Sequence, residues 1–194
     1  MKYRYLAILG LISFASLAQE PSPAEMIRRG VENLTTQMSS QRSSLENDKQ
    51  KLYNLVDREI GPHLAANKIA RLVVGRHWHK ADTRQKGAFV TAFRNLLIKT
   101  YAVSIFEHAA TAKIEFKPFS KKTSNARTAL VRTLVRFDDG TNMPIDYKFV
   151  RTAEGDWLIY DVIISRISLV VNFRNSYGRI IESDGFDALI ELLQ

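Results

Sequence analysis

The sequence predicts an α+β fold with N-terminal helices, a curved four-stranded antiparallel sheet and C-terminal helices. Up to about Thr111, apolar residues recur every three or four positions, which is typical of helices with one buried face. Beyond that point the spacing changes to two, the period of a half-buried strand, and after Ser165 it returns to the helical spacing. Helices and strands therefore occupy separate stretches, and no internal repeat divides the chain, so we expect one α+β domain.

The composition excludes several classes of protein. The chain has 194 residues, 45% of them hydrophobic and 25% charged, which is enough for one globular core. Cysteine is absent, which excludes a disulfide scaffold, a cysteine zinc site, an iron–sulfur cluster and a cysteine nucleophile. The net charge of +8 favours a polyanion, a membrane surface or an acidic protein as partner.

The N-terminus resembles a secretion signal. Two basic residues precede an uncharged, mostly apolar run at 5–17, and a small-x-small site ends at Ala18. This order predicts that residues 1–18 are a signal peptide removed before Gln19, leaving one domain at 19–194 that is periplasmic. The alternative is an uncleaved anchor, but the run is shorter than the about 20 apolar residues of a membrane span. No later run meets that criterion, and Gln19 stands where a lipoprotein needs cysteine.

Three helices are predicted before Lys80. The first begins at a capping box with Ser22 as N-cap and proline at the first helical position. Polar residues 39–47 are predicted to form a loop, and a second helix runs from Asp48 to the Gly61-Pro62 break. A third is expected at about 63–78. The apolar stripes consist of Ile27, Val31, Leu34 and Met38, then Leu52, Leu55, Val56 and Ile60, then Leu64, Ile69, Leu72 and Val73.

The fourth helix has the clearest pattern. Asp82 and Gln85 have the spacing of a reciprocal N-terminal cap. More than four turns then carry one continuous apolar stripe, formed by Phe89, Phe93, Leu96, Leu97, Tyr101 and Ile105.

Strand signals and turn residues alternate after Thr111. Asp138-Asp139-Gly140 and Glu154-Gly155 are predicted hairpin turns. The strands around them are expected near residues 114–116, 131–137, 145–149 and 157–165, the last apolar on both faces. Ser168 is the predicted N-cap of a C-terminal helix, which Asp184-Gly185 separates from a short final one.

A search for chemical motifs finds no phosphate-binding loop, dinucleotide fingerprint, nucleophile elbow or H-E-x-x-H. His77 and His79 are two residues apart, so on a helix they point about 200° apart and cannot share a metal. We interpret them as surface histidines that flank a buried Trp78. Neither a metal nor a cofactor is expected.

Asp161 lies within the most apolar strand and has two interpretations. A carboxylate in such a strand could act as a general base in an apolar pocket. Alternatively, it is a structural group whose hydrogen bonds come from the backbone or from an arginine such as Arg166. The second is favoured, because no histidine or second carboxylate lies nearby in the sequence.

Basic residues concentrate in the predicted sheet. Residues 113–151 contain nine Lys or Arg and four Asp or Glu, and alternation places Arg132, Arg136 and Lys148 on the face opposite the apolar one. These three residues could dock on an acidic partner or an anionic membrane, or they could simply solvate the sheet. Nucleic acid is not expected, because no aromatic residue is interleaved on that face.

Apolar residues of the fourth helix and of the strands are predicted to face each other. They would form either a filled core or a ligand cavity, which periodicity cannot distinguish. The candidate lining residues are Phe93, Leu97, Tyr101, Val131, Tyr147, Phe149, Trp157, Ile159 and Leu169.

Four stretches resemble the MlaC family, the periplasmic phospholipid-binding, toluene-tolerance auxiliary proteins that maintain outer-membrane lipid asymmetry. They are Val73-Val-Gly-Arg-His-Trp; Asp82-Thr-Arg-Gln-Lys-Gly-Ala-Phe-Val-Thr-Ala-Phe-Arg; Gly155-Asp-Trp-Leu-Ile-Tyr-Asp-Val; and Ile167-Ser-Leu-Val-Val-Asn-Phe-Arg through Gly185-Phe-Asp-Ala-Leu.

The resemblance implies a cone related to the NTF2-like fold, with an internal apolar pocket that holds acyl chains. It further implies a monomeric, non-enzymatic carrier that moves phospholipid between an outer-membrane lipoprotein complex and an inner-membrane ABC transporter with a substrate-binding hexamer. The pocket candidates above then become lipid-binding residues, and phospholipid is cargo. The alternatives are a binder of another lipophile, such as a quinone, hopanoid or solvent, and an NTF2-like enzyme with Asp161 as base.

Overall fold

A computed structural model of the protein describes residues 21–118 and 125–194. The predicted signal peptide and its cleavage position lie outside these residues. The helices are α1 (Pro23–Ser40), α2 (Arg42–Asn47), α3 (Lys49–Ile60), α4 (Ala66–Val74), α5 (Thr83–His108) and α6 (Leu169–Leu192). The strands are β1 (Lys113–Phe116), β2 (Thr128–Arg136), β3 (Asn142–Arg151), β4 (Trp157–Ile164) and β5 (Ile167–Ser168). The predicted fold class is confirmed.

The predicted cap of α1 is confirmed and α3 begins at Asp48 as expected, but the prediction of a loop between these two helices is wrong. The Ser22 hydroxyl accepts the Glu25 N–H, and the Asp48 carboxylate accepts the Lys51 N–H. Much of residues 39–47 is helical, because α1 continues to Ser40 and α2 follows. Within α2 only Leu45 is buried, so this helix has no apolar period that the sequence could reveal.

The third predicted helix is shorter than expected. α4 ends at Gly75, whose φ of 55° lies in the left-handed region that favours glycine, and a 3₁₀ turn covers Gly75–His79. In that turn His77 is buried and its Nε2 lies 3.7 Å from Glu182 Oε1, whereas Trp78 is only half-buried. The expectation of two surface histidines around a buried tryptophan is therefore wrong for His77 and Trp78.

Helix α5 is the central helix of the fold. Its predicted capping box is present: the Gln85 N–H donates to Asp82 Oδ1 at 2.7 Å, and the Asp82 N–H donates to Gln85 Oε1 at 3.0 Å. Its first half packs on α4 and α6 and its second half on α2 and α3. By length and composition α5 could cross a membrane, so the expectation that no later run meets that criterion is wrong, although core helices meet it as well.

The sheet has five antiparallel strands in the order β1-β2-β3-β4-β5, one more than predicted. β5 pairs with the end of β4 through a tight turn in which Ser165 and Arg166 both have positive φ, 48° and 71°. A strand of two residues is too short to show the alternation of apolar and polar side chains, so the sequence gives no sign of β5. For the same reason it extends the preceding strand to residue 165, whereas β4 ends at Ile164.

The two faces of the sheet follow the predicted alternation. On the inner face, Ala129, Val131, Thr133 and Val135 of β2 oppose Phe149, Tyr147, Ile145 and Met143 of β3. Helix α1 packs on this face through Ile27. The outer face carries Arg132, Arg136 and Lys148, as expected.

A β-bulge at Tyr160 changes the phase of β4. Phe149 pairs with Ile159 and Lys148 pairs with Asp161, so Tyr160 is an extra residue in the ladder. Beyond the bulge, Val162 opposes Tyr147 on the inner face, and Asp161 opposes Lys148 on the outer one. On its other edge, Ile159 accepts a hydrogen bond from the Ala65 N–H at 2.8 Å. The bulge therefore joins the sheet to the segment that precedes α4.

Gly61 provides a test of the packing between α3 and α5. A Cβ at this buried glycine would overlap the Arg94 guanidinium, which is held by Asp57 Oδ1 at 2.6 Å. The guanidinium can move aside only by weakening this partly exposed ion pair, so we expect Gly61→Ala to lower the free energy of unfolding by about 0.5–1 kcal/mol.

The matched control is Gly30→Ala in α1, where a Cβ would meet no atom within 4 Å. This change should raise the free energy of unfolding by about 0.4–1 kcal/mol. Urea denaturation measures both values, and an equal effect of the two changes would contradict the close packing at Gly61.

Candidate functional site

A small apolar cavity lies where α4, α5, β4 and α6 meet. Its volume is about 50 Å³. Among the described residues that line it, Asp161 is the only charged one. The lining consists of Leu64, Ile69, Phe93, Leu97, Ile159, Tyr160, Asp161, Val162, Leu169, Val170 and Phe173. The lining suits an aliphatic ligand rather than a polar one.

The structure divides the nine predicted pocket residues. Four of them line this cavity: Phe93, Leu97, Ile159 and Leu169. Four others, Val131, Tyr147, Phe149 and Trp157, pack under α1 on the inner face of the sheet, in a cluster that shares Ile159 with the cavity. Tyr101 lies apart from both groups, near Tyr177. Ligand contact by these nine residues stays a prediction.

Seven of the eleven lining residues were not among the pocket residues predicted from the sequence: Leu64, Ile69, Tyr160, Asp161, Val162, Val170 and Phe173. Leu64 precedes α4, and Val162 reaches the inner face only because of the bulge. Ile69 and Phe173 were recognisable as members of apolar stripes. Periodicity does not show which member of a stripe borders a cavity.

Three tyrosines in the packing around the cavity are shielded from solvent without lining it. Burial raises the pKa of Tyr147 and of Tyr101, and burial together with the nearby Tyr101 raises the pKa of Tyr177 to about 12. Each shift favours the neutral phenol, as expected in a medium of low dielectric constant. Edge-to-face contacts of Phe93 with Phe173 at 5.1 Å and with Tyr177 at 6.0 Å complete one wall.

Asp161 is a buried carboxylate with three hydrogen-bond donors. Its side chain is 4% exposed. Oδ2 accepts from Lys148 Nζ at 3.1 Å and from Ser168 Oγ at 2.8 Å, and Oδ1 accepts from the Val170 N–H at 3.2 Å. The favoured interpretation of a satisfied structural carboxylate is confirmed, with Lys148 and Ser168 in place of Arg166. Ser168 is also the N-cap of α6, as predicted, because its Oγ accepts the Val171 N–H.

The three predicted docking cations each have an acidic neighbour on an adjacent strand. Arg136 Nη2 lies 2.7 Å from Glu115, Lys148 Nζ lies 3.1 Å from Asp161, and Arg132 Nε lies 4.0 Å from Asp146. Their role in docking stays a prediction. The pairing nevertheless reduces the positive potential that the sequence suggested for this face.

Other surfaces give less support for a ligand. Across residues 21–118 and 125–194, no three His, Asp or Glu side chains are grouped so that they could hold a metal ion. A larger groove of about 350 Å³ runs along the outside of α5, between Gly87 and Lys99, beside the C-terminus. Its lining mixes polar and small residues, so the apolar cavity is the better candidate site for a lipid.

Known proteins share this architecture. A phospholipid-binding protein from Ralstonia solanacearum, solved in complex with a phospholipid, superposes with a TM-score of 0.78 at 24% identity, over 88% of this chain and 93% of that one. The intermembrane phospholipid transport system binding protein MlaC of Haemophilus influenzae is 18% identical over 176 residues, 90% of this chain and 82% of that protein. The family profile described as MlaC protein matches residues 28–194. The chain therefore belongs to the MlaC protein family.

Proposed function

We propose that this protein is a periplasmic phospholipid carrier that holds acyl chains between α5, β4 and α6. The observation that carries the proposal is the small cavity between α4, α5, β4 and α6, whose lining is apolar except for one carboxylate that is paired with Lys148. Membership of the MlaC family and the phospholipid bound to the R. solanacearum protein support it. The cargo moves between an outer-membrane lipoprotein complex and an inner-membrane ABC transporter.

The size of the cavity implies that its walls move. Ligand pockets commonly measure about 300–1,000 Å³, and the present cavity is about 50 Å³. Acyl chains therefore enter only if α5 or α6 separates from β4. The inner-face cluster beneath α1 continues from the cavity through Ile159 and offers further apolar surface for the chains.

The energetics suit reversible carriage. Burying about 30 methylenes at roughly 0.8 kcal/mol each stabilises a lipid by more than 20 kcal/mol relative to water. Relative to a bilayer most of this term cancels, because the chains pass from one apolar medium to another. Loading and release then depend on the small difference between the two media and on contact with the donor or acceptor.

The first test is the identity of the bound molecule. The mature protein, purified from the periplasm without detergent, should carry phospholipid that denaturing mass spectrometry detects in near-stoichiometric amount. Filling the cavity with Leu97→Trp should lower that amount severalfold. A quinone, hopanoid or solvent molecule in place of phospholipid would show a different cargo, and an unloaded wild-type protein would contradict the proposal.

A second test separates cavity residues from core residues. Phe149 is fully buried, so Phe149→Ala should lower the free energy of unfolding by about 3–5 kcal/mol. Leu97 is half-buried and borders the cavity, so Leu97→Asp should reduce lipid content while the protein stays folded. Paired lipid analysis and urea denaturation measure both effects. Equal loss of stability and lipid in the two variants would show that Leu97 belongs to a solid core.

A third test concerns docking by the outer face. Reversing Arg132 and Arg136 to Glu should slow lipid exchange with inner-membrane vesicles that contain the transporter, without releasing bound lipid. Lys148 is left unchanged, because a glutamate there would face Asp161. The effect should weaken as salt shortens the screening length to about 8 Å at physiological ionic strength.

The matched control for this charge reversal is Arg42→Glu with Lys51→Glu, the same change of net charge on α2 and α3. Exchange at low salt should stay at the wild-type rate in the control. An equal rate in both double variants would leave the outer cations with a role in solubility alone.

A further inference from the structure

Among the described residues, Asp161 is the one side chain that forms hydrogen bonds between the start of α6 and the β4 wall of the cavity. Helix α6 supplies part of the lining through Leu169, Val170 and Phe173, all in its first two turns. The first of these turns is attached to the sheet by Asp161, which accepts the Val170 N–H and the Ser168 hydroxyl. The side chains of α6 that line the cavity otherwise make apolar contacts, which slide and separate more readily than a charged hydrogen bond.

The outer side of this turn is open to solvent. Ile167 is 60% exposed and Val171 is 49% exposed, so the start of α6 is held by the pairing of β5 with β4 and by contacts on the cavity side. Farther along the helix, Arg174 Nε donates to the Leu72 carbonyl at 2.6 Å, and Tyr177 is buried in the helical core. The helix is therefore fixed from Arg174 onward by contacts that do not involve Asp161.

The β-bulge in β4 brings the Asp161 carboxylate to the start of α6. The edge of β4 pairs with Leu64 at Ile159 and with β5 at Ile163 and Ile164, which leaves a gap between these partners. Tyr160 shifts the strand by one residue, so Asp161 faces Lys148 at this gap, beside the start of α6. Lys148 is 35% exposed and neutralises the buried charge.

We propose that Asp161 is the positioning residue of the acyl-chain cavity. Its carboxylate holds the first turn of α6 against β4, and loss of its hydrogen bonds to Ser168 and Val170 lets that turn move outward so that chains enter or leave. The inference rests on the proposed function, since it concerns the wall of the same cavity.

Asp161→Asn tests this role with little change in shape. An amide keeps one acceptor for the Val170 N–H but loses the ion pair with Lys148 and presents a donor to its neighbours. The measurement is the rate at which a fluorescent phosphatidylglycerol leaves the loaded protein for phosphatidylglycerol–phosphatidylethanolamine vesicles. Charged hydrogen bonds are strong enough that we expect release to become about ten- to a hundredfold faster.

The matched control is Glu46→Gln, which removes a carboxylate paired with Arg42 on α2, away from the cavity and from the outer face of the sheet. Its release rate should equal that of the wild type. Lys148→Gln serves as a second variant that keeps Asp161 itself, and it should also accelerate release. Wild-type release in both Asp161→Asn and Lys148→Gln would overturn the inference.

Amide hydrogen exchange distinguishes positioning from general destabilisation and requires no lipid. In Asp161→Asn, protection should fall at Val170 and Val171 and stay unchanged at Phe89 and Phe93, which lie in the core of α5. A uniform fall across the protein would overturn the positioning role. If the wild-type protein carried no phospholipid, the proposed function would fail, whereas the exchange pattern at α6 would still decide the role of Asp161.

Discussion

The bulge at Tyr160 is the constraint that joins the two halves of this molecule. An uninterrupted β4 would place residues 159 and 161 on the same face. The extra residue keeps Ile159 and Val162 on the inner face, against α1, and turns Asp161 toward Lys148 and the start of α6. At the same point Ala65 donates a hydrogen bond to Ile159, which sets the position of α4. Residues on either side of the insertion therefore contact both α6, through Asp161, and the segment before α4, through Ile159.

Local patterns predict much of this fold, and long-range pairing accounts for the misses. Capping residues such as Ser22, Asp82 and Ser168 act within three residues of themselves, so the sequence reveals them directly. α2 and β5 each depend on one or two residues that contact distant elements, and neither shows a period. The bulge is a shift in the pairing of β4 with β3, so the sequence of β4 alone does not reveal it.

The candidate site was only partly predictable for a related reason. Alternation identifies which strand residues face inward, and it placed Val131, Tyr147 and Phe149 correctly on the inner face. Whether such a residue borders a cavity or fills a core depends on how closely the covering helix approaches. The partner of Asp161 was likewise missed, because Lys148 had been assigned to a docking surface and cross-strand register is set by the whole hairpin.

A cavity lined almost entirely by apolar groups offers little basis for selecting among lipids. A methylene contributes about 0.8 kcal/mol on leaving water, and nearly nothing on passing between two hydrocarbon environments. Acyl chains of different length taken from a membrane would therefore bind this chain with similar affinity. Selection among lipids therefore has to come from groups outside the cavity. Control of lipid exchange comes from the hydrogen bonds by which Asp161 holds the first turn of α6. The buried carboxylate of Asp161 then stabilises one position of α6 with a directional bond, which apolar contacts alone cannot do.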